Sequence, residues 1–300
     1  MAIWPALKAV YNAATDERYR YYYRQRRVEN QTSRDRWAQR LVRTLPHSGG
    51  EPVAEAEVLA RDGIAHLPPL LTPEQLTEMR DYFSTRRCAD PYRAHLGEFV
   101  APGNAPAETH VAFFSNELAA NAPHALRIAN DPRILSAVEH VLGAKPTIGY
   151  MTAWWSLPHR GEAEHAELYH RDYDDLRFIK LFVYLTDVDA ESGPHAFVRG
   201  SHRSDQMLER VRFSEDDVAA VFPEEDRLSL TGFAGSAFLE NTFGLHRGVP
   251  PRSKPRLIFQ VMYTLRPYIA GPRRPVRTVA AAHEGLMLDP YINRAYCRVV

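Results

Sequence analysis

Hydrophobic residues in the second half of the chain form short alternating or continuous runs, separated by Gly, Pro and Ser. Such runs are typical of β-strands, and most of the segments between them lack helical periodicity. The predicted strands cover residues 147–155, 165–173, 178–185, 195–198, 236–240 and 257–264. Many short strands without intervening helices favour an antiparallel sandwich or barrel over a doubly wound parallel sheet.

Helical signals precede these strands. Residues 72–75 place Thr before Pro, with a Gln that completes a capping box, and therefore predict the start of a helix. A second helix is predicted from Pro132 to Leu142, because Asp131 can cap its start and Gly143 can end it. A short strand is predicted at 63–67, ahead of Pro68-Pro69.

Residues 90–125 are irregular and rich in Pro, Gly, Ala and Asn, as in loops that cover binding sites. Their histidines, His95, His110 and His124, show no ligand spacing and are interpreted as surface or supporting residues. Residues 90–125 and 204–230 are expected to shape a substrate pocket, although neither segment contains a readable specificity motif.

Residues 1–50 differ from the rest of the chain in charge. They contain ten Lys/Arg and four Asp/Glu, and the neutral total means that the other 250 residues carry six excess negative charges. Trp4, Leu7 and Tyr11 recur at helical spacing, and Tyr19 and Tyr22 extend this stripe. We predict a basic, Tyr/Arg-rich helical extension (1–50) before a single domain (51–300). The extension is expected to pack on that domain or on a second copy in a homodimer, with an anionic partner or membrane surface as the alternative.

Composition excludes several classes of protein. Two cysteines are too few for a disulfide framework, and together with the absence of a signal-peptide pattern they favour a cytoplasmic location. No apolar run is long enough for stable membrane insertion. The zero net charge gives no reason to expect nucleic-acid binding, so a small-molecule substrate is the expected partner.

A metal-binding pattern precedes the strand at 178–185. His170 and Asp172 are two residues apart, so their side chains share a face in an extended segment. Two imidazoles and a carboxylate form the facial triad that holds non-haem Fe(II) and leaves coordination positions open. With 13 His and 16 Asp in 300 residues, roughly 0.7 such pairs are expected by chance, so context must decide. His246, between a short apolar strand and a Gly/Pro-rich turn, can supply the third ligand.

Two alternatives concern this metal site and its neighbourhood. His165 and Glu167 form a second His/carboxylate pair, but on a continuous strand they would face away from His170 and Asp172. Lys180 lies in an otherwise apolar strand; if its face lines a barrel, it requires an anion, and otherwise it extends to the rim.

A carboxylate-binding arginine is also expected. Arg256 opens the strand at 257–264, where its guanidinium can bind a carboxylate through two hydrogen bonds. Arg252 competes for this role, but it lies in a turn between Pro251 and Ser253.

Five landmarks occur in order over about residues 55–265. They are the segment 59–76, His170-x-Asp172, the turn 191–195, Gly200-Ser201-His202, and His246 with Arg256. This arrangement resembles the phytanoyl-CoA dioxygenase family of Fe(II)/2-oxoglutarate oxygenases. The resemblance implies a mainly β fold with flanking helices around a double-stranded β-helix (jelly-roll, cupin-like) core, in agreement with the predicted strands. Relatives often carry a small hydroxyl residue where this chain has Gly248.

The resemblance also implies a site. His170, Asp172 and His246 would bind Fe(II) and form the catalytic centre, and Arg256 would bind the distal carboxylate of the co-substrate 2-oxoglutarate, with O2 as the second co-substrate. Further predicted co-substrate contacts are Lys180, Phe182, Tyr184 and Thr152, and the predicted substrate pocket includes Tyr150, Trp154 and Tyr173.

These expectations describe an Fe(II)- and 2-oxoglutarate-dependent dioxygenase. It would hydroxylate an unactivated C–H bond of a small or medium-sized metabolite, with release of succinate and CO2. Asp172 disfavours a halogenase, which needs a small residue at that position to admit halide. The alternatives are a metal-dependent, non-redox β-barrel enzyme such as an isomerase or hydrolase, and a non-catalytic binding protein on the same fold.

Overall fold

The computed structural model describes residues 15–28, 30–159 and 161–300, so the stripe predicted at Trp4, Leu7 and Tyr11 lies outside the described residues. The α-helices are α1 (Glu17–Gln25), α2 (Gln31–Val42), α3 (Ala54–Asp62), α4 (Pro73–Ser84), α5 (Asn116–Asn121), α6 (Ala125–Ala129), α7 (Pro132–Leu142), α8 (Glu215–Ala219) and α9 (Pro290–Asn293). The strands are β1 (Ile64–Leu67), β2 (Cys88–Ala89), β3 (Glu98–Phe99), β4 (Val111–Phe113), β5 (Thr147–Ser156), β6 (Phe178–Tyr184), β7 (His195–Val198), β8 (Arg227–Leu230), β9 (Ala237–Glu240), β10 (His246–Gly248), β11 (Arg256–Thr264), β12 (Arg277–Val279), β13 (Ala282–His283), β14 (Leu286–Met287) and β15 (Cys297–Val299).

Two sheets form the core. The large sheet has eight strands in the order β1-β9-β6-β11-β5-β4-β2-β3, and its described neighbours pair antiparallel. The small sheet has the order β10-β7-β8 and is also antiparallel. The fold is therefore mainly β with flanking helices, and its core is the double-stranded β-helix that the sequence predicted.

Alternation along β6 explains how the large sheet separates a helical layer from an internal space. Ile179, Leu181 and Val183 lie on the face that the helices cover, and they belong to the hydrophobic cluster that contains Met79 of α4 and Val138 of α7. The opposite face of β6 carries Phe182 and Tyr184, which pack with residues of the small sheet. Because successive strand residues point to opposite faces, Lys180 must also face the space between the sheets.

The predicted helix starts are confirmed. Thr72 accepts a hydrogen bond from the backbone N–H of Gln75, whose side chain accepts one from the Thr72 N–H, so α4 begins with a complete capping box. Asp131 caps α7, and Gly143 ends it in the left-handed conformation. The sequence interpretation missed α3, which ends where the predicted strand begins.

The prediction of one continuous strand at 165–173 is wrong, because only isolated β-bridges form in this segment. Residues His165–Glu167 form a single turn of 3-10 helix, and His165 has a positive φ of 49°. The segment is extended from Leu168, and it makes isolated bridges from Tyr169 to Phe213 and from His170 to His246. The argument that His165 and His170 lie on opposite faces of one strand therefore does not hold.

The described part of the N-terminal extension packs on the domain through helices α1 and α2. Gln25 donates to the carbonyl oxygen of Tyr173 at 2.7 Å, and Arg34 donates to that of Asp175 at 2.6 Å. Gln31 donates to the carbonyl oxygens of His202 and Ser204. These contacts are made to the segment that follows Asp172 and to the turn after β7. The boundary at residue 50 and a homodimer through the extension stay predictions.

None of the helices in the described ranges combines the length and the apolar character that crossing a bilayer requires.

Candidate active site

Three backbone contacts hold the predicted metal ligands together. The N–H of His170 donates to the carbonyl oxygen of His246, and the N–H of His246 donates to that of His170, each at 3.0 Å. Two residues later the N–H of Asp172 donates to the carbonyl oxygen of Thr242 at 2.9 Å. The segments 169–172 and 242–246, which are far apart in sequence, are therefore paired side by side.

Close packing before His246 requires glycine at position 244. A Cβ built on Gly244 would lie 2.6 Å from the Phe197 ring and 3.0 Å from Ser201 Oγ. Ser201 Oγ accepts a hydrogen bond from the N–H of Leu245 and donates to the carbonyl oxygen of Val198. The small residues at 244 and 201 thus let the chain approach β7 closely enough to turn His246 inward.

The two ligand imidazoles have the tautomer that metal binding needs. Nδ1–H of His170 donates to the carbonyl oxygen of Leu168, and Nδ1–H of His246 donates to that of Gly244, both at 2.9 Å. A carbonyl can only accept, so Nδ1 of each ring carries a proton, and the lone pair of the neutral ring is on Nε2. The two Nε2 atoms lie 3.7 and 3.4 Å from the Asp172 carboxylate, and all three ligand atoms are within 4.8 Å of one another.

Electrostatics keep the ligands in their metal-binding forms. Burial, followed by the proximity of His246, holds the pKa of His170 well below its usual value, so this imidazole is neutral. Burial opposes ionisation of Asp172, but the positive charge of Lys180 is the largest opposing effect, and the carboxyl pKa is held well below its usual range. Two imidazoles and one carboxylate are a suitable donor set for Fe(II), so the residues present fit this metal.

The anions that pair with Lys180 are two carboxylates of the protein itself. Its ammonium donates to Oδ2 of Asp172 at 2.6 Å and to Oδ2 of Asp174 at 2.9 Å. Burial disfavours the charge on Lys180, but these two carboxylates outweigh burial and raise its pKa. The hydroxyl of Tyr268 donates to Asp174 at 2.8 Å. Lys180 therefore orients the carboxylate of a predicted metal ligand, and a direct contact with a co-substrate stays a prediction.

Arg171 braces the ligand segment from the side opposite the metal site, a function that the sequence did not indicate. Its buried guanidinium donates to the carbonyl oxygen of Phe243 at 2.7 Å and to that of Ser201 at 2.9 Å. It also donates to the carbonyl oxygens of Met207 and Gln206. Arg171, which follows His170, thereby connects the ligand segment to the residues before His246 and to the turn after β7.

The ligands open into a cavity of about 410 Å³ between the two sheets. Arg256 lies in its wall, is 2% exposed, and donates to Ser156 Oγ at 3.2 Å. Within the described part of the chain, its Nε and Nη1 have no hydrogen-bond partner. A buried guanidinium with two free donors is suited to binding a carboxylate. Arg252, by contrast, has 76% of its side-chain surface exposed and lies near Glu191.

A buried His–Glu pair also adjoins the ligands, and no sequence motif indicated it. Glu240 is completely buried, and its carboxyl lies 2.9–3.1 Å from Nε2 of His195. Burial raises the pKa of Glu240 to about 8 and, followed by Arg256, lowers the pKa of His195 to about 3. The His195 ring lines the cavity beside His246, with ring centroids 5.6 Å apart.

The other predicted site residues fall into two groups. Those that line the cavity are Tyr150, Thr152, Trp154, Lys180 and Phe182. Tyr173 and Tyr184 are not part of the lining: their hydroxyls donate to the carbonyl oxygens of Leu208 and Leu230, at 2.6 and 2.8 Å. Neither tyrosine is placed to contact a ligand in the cavity. Residues 90–125 contribute Tyr92, His110, Val111 and Phe113 to the lining, whereas 204–230 contribute none.

The fold is shared with several solved structures. HygX from Streptomyces hygroscopicus, solved with nickel, 2-oxoglutarate and hygromycin B, is 16% identical with a TM-score of 0.52, over 80% of this chain and 96% of HygX. EctD from S. alaskensis, solved with 2-oxoglutarate and 5-hydroxyectoine, is 18% identical with a TM-score of 0.51, over 73% and 78%. The carbocyclase SnoK from nogalamycin biosynthesis is 20% identical with a TM-score of 0.50, over 71% and 87%.

The sequence comparisons identify the family. No curated protein matches the sequence significantly. The family model described as phytanoyl-CoA dioxygenase (PhyH) matches residues 59–255, which is 197 of the 300 residues. This match covers well over half of the chain and contains His170, Asp172 and His246. The chain therefore belongs to the phytanoyl-CoA dioxygenase family, within the superfamily of Fe(II)/2-oxoglutarate oxygenases.

Proposed function

We propose that the protein is an Fe(II)- and 2-oxoglutarate-dependent dioxygenase that hydroxylates an unactivated C–H bond of a small or medium-sized metabolite. The observation that carries this proposal is the placement of two kinds of group in one cavity: the His170/Asp172/His246 set and the buried guanidinium of Arg256. A non-redox metal enzyme has no need for the second of these groups.

Each group has a defined task in this proposal. His170, Asp172 and His246 would hold Fe(II), which with 2-oxoglutarate and O2 supplies the oxidising power for C–H hydroxylation and yields succinate and CO2. Arg256 would hold the distal carboxylate of 2-oxoglutarate, and Thr152 offers a buried hydroxyl that has no partner within the described residues. Aromatic side chains, among them Trp154 and Phe182, keep water from the rest of the cavity.

The volume of the cavity limits the substrate. About 410 Å³ must hold both the co-substrate and the substrate, which excludes large polymeric substrates from full entry. HygX and EctD, which share the fold, were solved with small polar molecules bound. A metabolite of comparable size is therefore the proposed substrate class.

Anaerobic addition of Fe(II) and then 2-oxoglutarate tests the proposal. A chelate at the site should produce a weak visible charge-transfer band, and admission of O2 should release succinate. The Asp172→Ala variant should lose both signals while staying folded, because Asp172 is the one carboxylate in the proposed ligand set. Asp81→Ala, a change at an exposed position of α4, is the control and should keep both signals.

Succinate release at the wild-type rate by Asp172→Ala would mean that the triad is misassigned. A wild-type protein that binds metal but gives no charge-transfer band and consumes no O2 would favour the non-redox alternative. Once a substrate is found, product analysis distinguishes hydroxylation from other oxidative outcomes, such as the cyclisation named for SnoK.

A further inference from the structure

A second cluster of side chains that could bind a metal ion adjoins the same cavity, which His110 and Glu167 line. His110 precedes β4, His159 follows β5, and Glu167 ends the 3-10 turn before the first metal ligand. Nδ1 of His110 lies 3.0 Å from Oε2 of Glu167, and Nε2 of His159 lies 3.1 Å from Oε1. The three ligand atoms are within 4.8 Å of one another, as in the first set.

The cluster is buried and assembled from separate parts of the chain. His110 and Glu167 are each 6% exposed, and the His159 side chain is 3% exposed. The N–H of Leu157 donates to the carbonyl oxygen of His110 at 2.8 Å and so holds the two histidine-bearing segments together. Local sequence spacing therefore had no means of revealing the cluster, because 49 residues separate its histidines.

The charge of Glu167 requires compensation. A buried carboxylate is costly unless it is paired with a cation or fully hydrogen-bonded. Of the lysines and arginines in the described ranges, none lies within ion-pairing distance of Glu167, which receives hydrogen bonds from the two imidazoles and from the Glu164 N–H. The two imidazole rings are stacked with centroids 3.3 Å apart, an arrangement in which two positive rings would repel each other. The present contacts therefore give the Glu167 carboxylate hydrogen bonds but no lysine or arginine partner among the described residues.

We propose that His110, His159 and Glu167 bind a second divalent metal ion. Two imidazoles and one glutamate are a ligand set that suits zinc and similar ions, with a fourth position left for water or a ligand in the cavity. The ion would lie between the carboxylate and the nitrogens that now contact it, and each imidazole would carry its proton on its other ring nitrogen. Ligand atoms of a tetrahedral zinc site are separated by about 3.3 Å, close to the present 3.0 and 3.1 Å contacts, but the two stacked rings must shift out of their parallel arrangement so that both ring planes contain the ion.

Glycine at position 161 leaves room for these shifts. A Cβ built on Gly161 would lie 3.1 Å from Nε2 of His110 and 3.5 Å from Nδ1 of His159, so a side chain there would crowd both rings. Nδ1 of His159 has no hydrogen-bond partner in the described residues, whereas both imidazoles of the first site are braced by carbonyl oxygens. An unbraced ligand weakens metal binding by about 10- to 100-fold, so we expect the second ion to bind more weakly than the first.

Cobalt(II) titration of the tag-free, metal-depleted full chain tests the proposal. We expect two ions per chain by elemental analysis after equilibrium dialysis, the second binding roughly 10- to 100-fold more weakly. A four-coordinate Co(II) site absorbs visible light far more strongly than a six-coordinate one, so the second ion should add an intense band. Glu167→Gln and, as a second variant, His159→Ala should reduce the stoichiometry to one and remove that band. Asp172→Ala should also bind one ion but keep the band.

Glu162→Gln is the matched control, since it makes the same change at an exposed position of the same segment and should bind two ions. Circular dichroism of each variant establishes that it is folded. Binding of a single ion by the wild type at Co(II) concentrations far above those that fill the first site would overturn the proposal. So would an unchanged stoichiometry in both folded cluster variants. Neither result depends on 2-oxoglutarate turnover, so this proposal and the proposed function can fail independently.

Discussion

Arg256 reaches the cavity with two guanidinium nitrogens that have no partner in the described part of the protein. Loss of one member of a buried charge-assisted pair costs roughly 2–5 kcal/mol, which corresponds to at least about a 30-fold change in affinity. We therefore expect Arg256→Gln to raise the apparent KM for 2-oxoglutarate by at least about 30-fold. Succinate release measured over a range of 2-oxoglutarate concentrations gives this constant.

Arg252→Gln is the control for this variant, because it removes the same charge from a side chain that is 76% exposed. Its KM for 2-oxoglutarate should stay within about twofold of the wild-type value. Equal effects of the two substitutions would place the carboxylate-binding group elsewhere, and Lys180 would be the next residue to test.

His195 is placed to assist co-substrate binding. It lies opposite Gly248 in the β7–β10 pair, where relatives often carry a hydroxyl. Its Nε2 is engaged by Glu240, and no described protein group is bonded to Nδ1, which belongs to a ring in the cavity wall. We expect His195→Ala to raise the KM for 2-oxoglutarate by roughly 3- to 10-fold, the value of one hydrogen bond. A KM that stays constant while kcat changes would argue against this role.

At the residue scale, the sequence predicted the groups that occur in family motifs and missed those that support them. His170, Asp172 and His246 meet as predicted, since a two-residue spacing and a strand end indicate where such side chains point. Arg171 and Glu240 were missed because their partners are backbone carbonyls and a histidine distant in sequence. Pairing between remote strands is not visible in local spacing.

One buried arginine of helix α2 binds the segment that follows Asp172. Arg34 is 3% exposed, donates to the carbonyl oxygens of Asp175 and Leu176, and lies 4.5 Å from the centroid of the Phe243 ring. Arg34→Met keeps much of the volume but leaves both carbonyls without their donor. We expect a loss of about 2–4 kcal/mol in the free energy of unfolding, measured by urea denaturation.

Arg36→Met is the matched control, because Arg36 lies two residues further along α2 and is exposed. This variant should change stability by less than about 0.5 kcal/mol. If both variants unfold at the same urea concentration, Arg34 has no special part in docking the helix. The charge-transfer band at saturating Fe(II) and 2-oxoglutarate should persist in Arg34→Met, because the metal ligands themselves are unchanged.

At the scale of elements, capping and alternation made the predictions reliable, and their absence caused the errors. Helix α4 was predicted because its capping box is readable, whereas α3 has an N-cap valine that forms no side-chain cap. The His165–Glu167 turn was predicted as part of the strand at 165–173, although it forms a turn of 3-10 helix and only the residues that follow it are extended. That turn brings Glu167 to His110 and His159, so the error concealed the second cluster.

At the scale of the whole molecule, the opposite charges of the extension and the domain suggest attraction that weakens with salt. Most of the contacts described between the extension and the domain are hydrogen bonds to backbone carbonyls or buried groups, not ion pairs on the surface. Arg34 and Arg18 donate to backbone carbonyls, and Tyr21 donates to the buried carboxylate of Asp175. Hydrogen bonds of this type are screened little, so docking of the extension should depend only weakly on ionic strength.

Deletion of the extension tests these contacts together. A chain that starts at Glu51 loses the partners of Asp175, Tyr173 and the turn after β7. We expect its melting temperature to fall by roughly 5–10 °C, at both low and high salt, because several buried polar groups lose their donors. The truncated chain should keep the charge-transfer band, since the ligands His170, Asp172 and His246 all lie beyond residue 51.

Sedimentation velocity then shows whether the full chain is a monomer or the predicted homodimer. An equally stable, monodisperse truncated chain, together with sedimentation of the full chain on anionic liposomes, would contradict docking of the extension and favour a membrane-surface role.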